Sequence, residues 1–198
     1  MADADRERWN RRYQERLTQR DYTFEPSRWL PEIEAQLRPP RSDARALDLA
    51  CGGGRNAIWL AERRWTVDAW DLSDVGLAIL ARELDERAAR GRPLEVYPQQ
   101  LDLDAATIPQ EVYDLVLNIM FLDRRLWPAL AASLRPGGLL AFQTFVDAPG
   151  GRTSEVSPEH LLQPAELRTA FEALGLETVS YDEQGERMTA RLLSRKSG

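Results

Sequence analysis

The strongest constraint on this fold is a regular alternation of strand-like and helix-like segments between residues 45 and 145. Predicted strands cover residues 45–49, 66–70, 95–99, 113–118 and 139–145, and predicted helices cover residues 56–63, 75–90 and 125–134. Strands joined through helices pair in parallel with right-handed crossovers. The sequence therefore predicts a doubly wound, Rossmann-like α/β sheet.

The C-terminal part of the sequence predicts a different connection. A helix opens at Gln163-Pro164-Ala165-Glu166 and is capped by Gly175. Two further strands, residues 177–182 and 187–194, are separated by Glu183-Gln184-Gly185-Glu186, which is a hairpin signal. We therefore expect a seven-stranded sheet, mostly parallel, with a C-terminal antiparallel hairpin.

Two helices are expected before the first strand. Trp9, Tyr13 and Leu17 recur at four-residue spacing among Arg and Glu, which predicts an amphipathic helix over residues 5–20. A second helix, over residues 28–37, is bounded by prolines on both sides.

Length and charge limit the classes of protein to consider. A chain of 198 residues suits one core, so we expect a single domain, with residues 1–40 as a helical lid and residues 41–198 as the Rossmann-like core. The net charge of −6 argues against nucleic-acid binding, which depends on Lys and Arg neutralising phosphates. No apolar run approaches the ~20 residues of a membrane helix. We expect a cytoplasmic monomer or homodimer that binds neither nucleic acid nor membrane.

Cysteine and lysine usage adds two expectations. The single cysteine, Cys51, excludes an intrachain disulfide and a Cys-cluster metal site, and we expect no metal. The single lysine, Lys196, among many arginines indicates a GC-rich bacterial genome.

A glycine-rich loop follows the first predicted strand. Ala46-Leu47-Asp48-Leu49-Ala50-Cys51 leads into Gly52-Gly53-Gly54, and Arg55-Asn56 opens the next helix. Glycines there let the backbone turn tightly and approach a ligand, although a simple strand-to-helix turn would also explain them. The second strand ends in Asp71, 17 residues after Gly54, close to the ~20 expected for a carboxylate that accepts hydrogen bonds from a ribose.

The loop is compatible with two cofactors. Gly52-Gly53-Gly54-Arg55-Asn56-Ala57 satisfies the dinucleotide pattern G-x-G-x-x-G/A, which would suit NAD. Asp48 would lie beneath the loop, where a carboxylate repels a pyrophosphate and attracts the ammonium and sulfonium groups of S-adenosylmethionine (SAM). The chain also leaves little room for a hydride-acceptor domain. These points favour SAM.

Five segments, in order, resemble the motifs of class I SAM-dependent methyltransferases. They are Leu47-Asp48-Leu49-Ala50-Cys51-Gly52-Gly53-Gly54-Arg55-Asn56, Asp71, Leu101-Asp102-Leu103, Asp114-Leu115-Val116-Leu117-Asn118 and Leu134-Arg135-Pro136-Gly137-Gly138. More narrowly, Trp9-Asn10 with Tyr13, Pro26-Ser27, the glycine loop and Leu161 to Arg168 resemble the tellurite-resistance methyltransferases, a group related to thiopurine methyltransferases. This group often has an acidic residue at the position of Gly53 and a glycine at that of Ala165.

The resemblance implies a set of cofactor-binding residues. Asp48, Ala50, Gly52 and Gly54 would hold the methionine end of SAM, with Cys51 and Asn56 beside them; Asp71 would bind the ribose; Leu72, Asp102 and Leu103 would bind the adenine; and Asn118 would lie beside the methyl group. For Asp102, capping of its own turn is an equal alternative. Cys51 has no neighbour that would activate it as a nucleophile.

The resemblance also implies transfer of the SAM methyl group to a small molecule, with S-adenosylhomocysteine as product. Candidate acceptors are a thiol or a chalcogen oxyanion such as tellurite, because a soft, already ionised acceptor needs no catalytic base. Asn118-Ile119-Met120-Phe121 lacks both prolines of the N-P-P-F motif of amino-directed methyltransferases, which disfavours nucleobase or amide acceptors.

The acceptor pocket is expected to draw on six residues: Trp9, Tyr13, Phe121, Arg125, Gln143 and His160. Arg11, Arg12 and Arg16 are candidates for steering an anionic acceptor, although such a run is more often a solvated helix face with Glu partners. No residue is assigned as a general base. Two other functions stay open, namely a non-catalytic SAM-binding regulatory module and an NAD-linked reductase.

Overall fold

A computed structural model describes residues 2–19, 22–39, 41–147, 156–184 and 189–198, which form two compact units, Met1–Thr107 and Ile108–Gly198. The first unit contains α1 (Ala2–Thr18), α2 (Trp29–Glu32), β1 (Arg45–Leu49), α3 (Arg55–Ala61), β2 (Thr66–Asp71), α4 (Asp74–Ala89) and β3 (Val96–Gln100). The second contains β4 (Tyr113–Ile119), α5 (Trp127–Ser133), β5 (Leu134–Phe145), α6 (Glu166–Ala173), β6 (Leu176–Gln184) and β7 (Thr189–Lys196).

The strands follow the order β3-β2-β1-β4-β5-β7-β6. Strand β2 pairs in parallel with β1 and β3, and β4 pairs in parallel with β5. Strand β7 is antiparallel to both β5 and β6. The predicted fold, a doubly wound and mostly parallel sheet with a C-terminal antiparallel hairpin, is confirmed. That the chain is a single domain stays a prediction.

In the first unit, strands β1 and β2 are buried after their first residue, and most of their side chains are apolar. Ala46, Leu47 and Leu49 of β1 are fully buried, as expected for a parallel strand covered by helices. Helix α3 follows β1 directly, and Ile58 and Leu60 of this helix are also fully buried. Two parallel strands and the helix between them thus bring the carboxyl ends of β1 and β2 together, which is where parallel sheets bind ligands.

Strand β3 lies at one edge of the sheet and is exposed after Val96. The amide of Val67 donates to the carbonyl of Glu95, and the amide of Leu101 donates to the carbonyl of Asp71. Odd-numbered residues of β3 therefore direct their backbone groups toward β2, and Pro98 faces the open edge. A proline is tolerated there because its missing N–H takes no part in pairing with β2.

The second unit is centred on three aromatic rings that belong to three elements. Trp127 of α5, Phe142 of β5 and Phe171 of α6 are buried, with ring centroids 5.6 to 6.3 Å apart. Edge-to-face and tilted contacts of this kind contribute about 0.5–1.5 kcal/mol per pair beyond the burial of apolar area. The cluster fixes α5 and α6 on one face of β5.

The structure differs from the prediction in the second helix. The helix expected over residues 28–37 is regular only in α2, and beyond it the amides of Ile33, Glu34 and Gln36 donate to carbonyls three residues earlier. Such i→i+3 bonds form tight turns that rarely continue for long. The expected end of the first helix, the loop around residues 148–155 and the start of the last strand at Arg187 lie outside the described residues.

Two further local features bear on the sequence prediction. Gly175 follows α6 with a φ of 83°, the left-handed conformation of a helix cap, as predicted. Ala165 precedes the same helix with a φ of 62°, in the region that favours glycine.

In the described ranges, no helix is long and apolar enough to cross a membrane.

Candidate cofactor-binding site

The glycine loop turns sharply between β1 and α3. Ala50, Gly52 and Gly54 have φ values of 53°, 57° and 77°. The amide of Cys51 donates to the carbonyl of Trp70 at 2.9 Å, and the amide of Gly54 donates to the carbonyl of Cys51 at 3.0 Å. These bonds join the loop to the end of β2 and close it into a tight turn.

Two tyrosines cover this loop and explain two of its glycines. A Cβ atom at Gly52 would overlap the hydroxyl of Tyr13, and one at Gly53 would overlap the hydroxyl of Tyr22. The two rings also meet edge to face, with centroids 6.5 Å apart. Burial raises the pKa of Tyr13 above its usual range and that of Tyr22 to about 12, so both hydroxyls stay protonated near neutral pH.

Asp48 is the charged group beneath the loop. Its side chain is 1% exposed, and no described residue forms a hydrogen bond with its Oδ2 atom. Burial raises the pKa of Asp48 to about 7, the Asp71 carboxylate adds to this rise, and a backbone hydrogen bond from Ala57 opposes it. A buried carboxylate with an unpaired oxygen fits the ammonium group of an amino-acid ligand, which would supply both the missing hydrogen bond and the missing charge.

Asp71, at the end of β2, connects the loop to the start of α4. Its Oδ2 accepts from the amide of Gly52 and its Oδ1 accepts from the amide of Ser73, both at 2.7 Å. Burial raises the pKa of Asp71, whereas the backbone hydrogen bonds from Ser73 and Gly52 oppose the rise. Each carboxylate oxygen retains acceptor capacity, which suits two neighbouring ribose hydroxyls.

The other predicted cofactor residues of the first unit have different surroundings. Asn56 is buried, and its Oδ1 accepts from the amide of Ser27 at 2.9 Å. The Oδ1 of Asp102 accepts from the amide of Asp104 at 3.0 Å, which is the turn-capping alternative for this residue. Leu72 and Leu103 are half-buried. Burial, followed by the charges of Asp48 and Asp71, raises the pKa of the Cys51 thiol, which keeps it from acting as a nucleophile.

Of the predicted acceptor residues, the structure brings Tyr13 to the glycine loop and places Trp9 one turn earlier on α1, with ring centroids 6.4 Å apart. The three polar candidates of the second unit lie on different elements. Gln143 is buried on β5 and donates to Thr189 at 3.4 Å, and Arg125 is exposed and paired with Asp123. His160 is exposed in a short 3-10 turn.

Asn118 and Phe121 mark the end of β4. The Asn118 side chain is 1% exposed, and its Oδ1 atom has no hydrogen-bond partner in the part of the chain that the structure describes. Phe121 is half-buried just beyond the strand. Asn118 thus lies at the carboxyl end of a parallel strand, as the sequence predicted. The role of Asn118 stays a prediction.

Three residues beside the predicted site received no role in it from the sequence, although Asn10 belongs to the Trp9-Asn10 pair of the narrower resemblance. Tyr22 covers Gly53, Ser73 caps α4 by accepting from the amide of Gly76, and Asn10 bonds to Ser73. The Ser73 cap could have been found, because a serine directly before an amphipathic helix is a known start signal. Tyr22 and Asn10 act across long sequence separations, and no local pattern identifies their partners.

The sequence of this chain matches a model of a known protein family. A family model described as a methyltransferase domain matches residues 19–181. The chain belongs to the class I SAM-dependent methyltransferases. The predicted family and cofactor class are thereby confirmed.

Two curated relatives match part of the methyltransferase. The probable SAM-dependent methyltransferase TehB of Haemophilus influenzae is 32% identical over 97 residues, which cover 48% of this chain and 32% of the relative. A trans-aconitate 2-methyltransferase of Streptomyces avermitilis is 32% identical over 164 residues, which cover 71% of this chain and 55% of the relative. The matches thus span between a third and about half of the length of these relatives.

A solved structure supports the fold. The crystal structure of TehB from Haemophilus influenzae superposes with a TM-score of 0.68 at 21% identity and covers 84% of this methyltransferase and 62% of that chain.

Proposed function

We propose that this methyltransferase transfers the methyl group of SAM to a small, anionic acceptor. The observation that carries the proposal is the pair of buried carboxylates at the ends of adjacent parallel strands. Asp71 is bonded to the loop amide of Gly52, and Asp48 keeps one oxygen free among the described residues. This arrangement suits a ligand that offers a ribose and an ammonium group, whereas a pyrophosphate would be repelled.

Each group of residues would have a separate task. Asp48 would attract the ammonium group and Asp71 would accept from the ribose hydroxyls. Leu72, Asp102 and Leu103 would contact the adenine, and Asn118 would lie near the reacting methyl group. When bound, SAM supplies an electrophilic methyl group on a sulfonium. The chain's contribution is to hold the acceptor in line with this group, and such positioning accounts for much of the rate in many displacements.

Charge and the lack of an assigned general base support this acceptor class. Burial raises the pKa of Asp48 to about 7, but this carboxylate lies buried beneath the glycine loop, and no residue is assigned as a general base. A thiolate or a chalcogen oxyanion such as tellurite is already ionised and needs no base. The guanidinium groups of Arg12 and Arg16 lie 5.5 and 5.2 Å from the ring centroids of Trp9 and Tyr22. Positive charge near the lid would favour the approach of an anion.

A second acceptor class has support from a relative. The match to a trans-aconitate 2-methyltransferase covers 71% of this chain, and the acceptor in that name is a carboxylate. A carboxylate is also a small anion that is ionised near neutral pH. An acceptor screen that follows the formation of S-adenosylhomocysteine should therefore include trans-aconitate with tellurite, selenite and thiols. Turnover with an uncharged amine alone would contradict an anionic acceptor.

The cofactor assignment is tested by titrating the protein with S-adenosylhomocysteine in a calorimeter, with NAD as the comparison. We expect micromolar affinity for the former and none for NAD. The Asp71→Asn variant should bind at least tenfold more weakly, since an Asn side chain would turn an NH₂ group toward Gly52 or Ser73 and would lose the acceptor geometry for the ribose.

Asp68→Asn is the matched control for this variant. Asp68 lies on the same strand and pairs with Arg45 at 2.6 Å, away from the loop contacts of Asp71. The control should bind S-adenosylhomocysteine as the unmodified protein does. Unchanged affinity in Asp71→Asn would remove the ribose assignment, and binding of NAD alone would overturn the proposed function.

A further inference from the structure

The N-terminal helix is attached to the start of α4 by Asn10. The Oδ1 atom of Asn10 accepts from the hydroxyl of Ser73 at 2.6 Å and from the amide of Val75 at 3.4 Å. Its Nδ2 donates to the carboxylate of Asp74 at 2.6 Å. A carboxamide can donate and accept at once, so it matches this set of one hydroxyl, one amide and one carboxylate.

Ser73 continues the connection to the cofactor site. Its hydroxyl accepts from the amide of Gly76 at 2.9 Å and donates to Asn10, and its amide donates to Asp71. Asp71 in turn accepts from the amide of Gly52. A continuous chain of hydrogen bonds thus runs from α1 through Ser73 and Asp71 to the glycine loop. Ser73 is fully buried beside Asn10, so loss of the Asn10 acceptor would leave the Ser73 hydroxyl without its present partner.

The same contacts determine where Tyr13 lies. Tyr13 follows Asn10 by three residues, on the same side of α1, and its hydroxyl covers Gly52. A Cβ atom at Gly76 would lie 3.1 Å both from the Gly52 backbone and from Cε2 of Tyr13. The first turn of α4, the glycine loop and α1 are therefore in direct contact. A shift of α1 would change its contacts with both the glycine loop and α4.

We propose that Asn10 is a positioning residue that couples docking of the N-terminal helix to the hydrogen-bond geometry of Asp71. Cofactor binding and helix docking then stabilise each other, since a coupling between two equilibria acts equally in both directions. The proposal rests on the assignment of Asp71 to the ribose. We infer that Asn10, although it is not among the proposed cofactor contacts, controls affinity for the cofactor.

An exchange of side chains tests this coupling. Asn10→Asp places a carboxylate against Asp74 and should weaken binding of S-adenosylhomocysteine about tenfold, as should Asn10→Ala. Adding Asp74→Asn to Asn10→Asp restores a donor opposite an acceptor, with the two side chains exchanged, and should recover most of the affinity. Gln14→Ala, an exposed position on the same helix, is the control and should bind normally.

Hydrogen exchange of the amides in residues 2–18 gives a readout that does not depend on turnover. In the unmodified protein, saturating S-adenosylhomocysteine should slow this exchange. In Asn10→Ala, exchange should be faster without ligand, and the ligand should slow it much less at equal occupancy. A purely structural role would lower the melting temperature in parallel with affinity and leave the ligand-dependent protection intact.

The affinities of these variants decide between the possible outcomes. Loss of affinity in both single variants, with recovery in the double variant, supports the coupling. Unchanged affinity in Asn10→Ala, or no recovery in a folded double variant, overturns it. If Asp71→Asn binds S-adenosylhomocysteine normally, the ribose assignment fails whatever Asn10 does, whereas loss of binding in Asp71→Asn with normal binding in Asn10→Ala refutes the coupling alone.

Discussion

At the scale of single residues, Asp48 carries a charge in a place where water cannot solvate it. Its pKa of about 7 arises mainly from burial, and the nearby Asp71 carboxylate contributes in the same direction. The group is therefore partly protonated near neutral pH while no ligand is bound. An ammonium group beside it would stabilise the ionised form and lower its pKa again.

We expect the affinity for S-adenosylhomocysteine to rise about tenfold between pH 5.5 and pH 7.5, because ionised Asp48 attracts the ammonium group and neutral Asp48 does not. Calorimetric titration at several pH values measures this. Asp48→Asn should bind weakly with a much flatter pH dependence. Burial also raises the pKa of Asp71, so the part of the slope that Asp48→Asn removes is the part that belongs to Asp48. An unchanged slope in this variant would contradict the assignment.

Without ligand, the raised pKa of Asp48 makes the stability of the fold decrease with rising pH, whereas it makes the affinity for S-adenosylhomocysteine increase. Because the pKa of Asp48 is raised from 3.8 to about 7 on folding, the folded state binds more protons than the unfolded state across this window. The free energy of unfolding contributed by Asp48 is therefore present at low pH and is lost as the pH rises toward 7. Asp48→Asn should raise the melting temperature relative to the unmodified protein at pH 8 more than at pH 5.

At the scale of an element, α1 is bound to the rest of its unit by few side chains. Leu17 is 45% exposed, and the acidic side chains of Asp3 and Asp5 pair with arginines of the same helix. The contacts described above come from Asn10 and Tyr13, which touch α4 and the glycine loop. The helix thus contributes more to the ligand site than to the core.

Deletion of residues 2–18 should weaken S-adenosylhomocysteine binding at least tenfold while the melting temperature falls by only a few degrees, because little apolar area is lost. Deletion of residues 2–7, which stops before Trp9, is the matched control and should retain binding. Calorimetry and thermal unfolding monitored by circular dichroism measure the two effects. Full affinity after the longer deletion would mean that α1 is not a lid.

At the scale of the whole molecule, much of the fold could be predicted because its signals are local. The glycines after Asp48 and the carboxylate of Asp71 lie at the ends of apolar strands, so the sequence alone predicted where these groups lie in the sheet, and their roles stay predictions. Tyr22 and Asn10 could not be identified in this way. Their partners, Gly53 and Ser73, are 31 and 63 residues away in the sequence, and contacts over such separations leave no periodic trace. The second helix was predicted too long because its pattern does not distinguish tight turns from an α-helix.

A further whole-molecule property depends on Pro98 at the open edge of β3. Pro98→Val should increase self-association, since it supplies an amide donor at an exposed edge that can pair with another chain. Gln99→Val adds the same apolar side chain at a position whose backbone faces β2, and is the matched control. Light scattering at rising protein concentration compares the two, and equal scattering would show that apolar exposure, not the edge amide, is responsible.

Pro98 also bears on how the chain behaves before folding is complete. An edge strand that lacks one amide is a poor template for amyloid-like stacking, because the ladder of donors needed by an incoming strand is interrupted at its centre. Pro98 should therefore hinder pairing of β3 with β3 of another molecule. The N–H that it lacks would face the open edge and would take no part in pairing with β2.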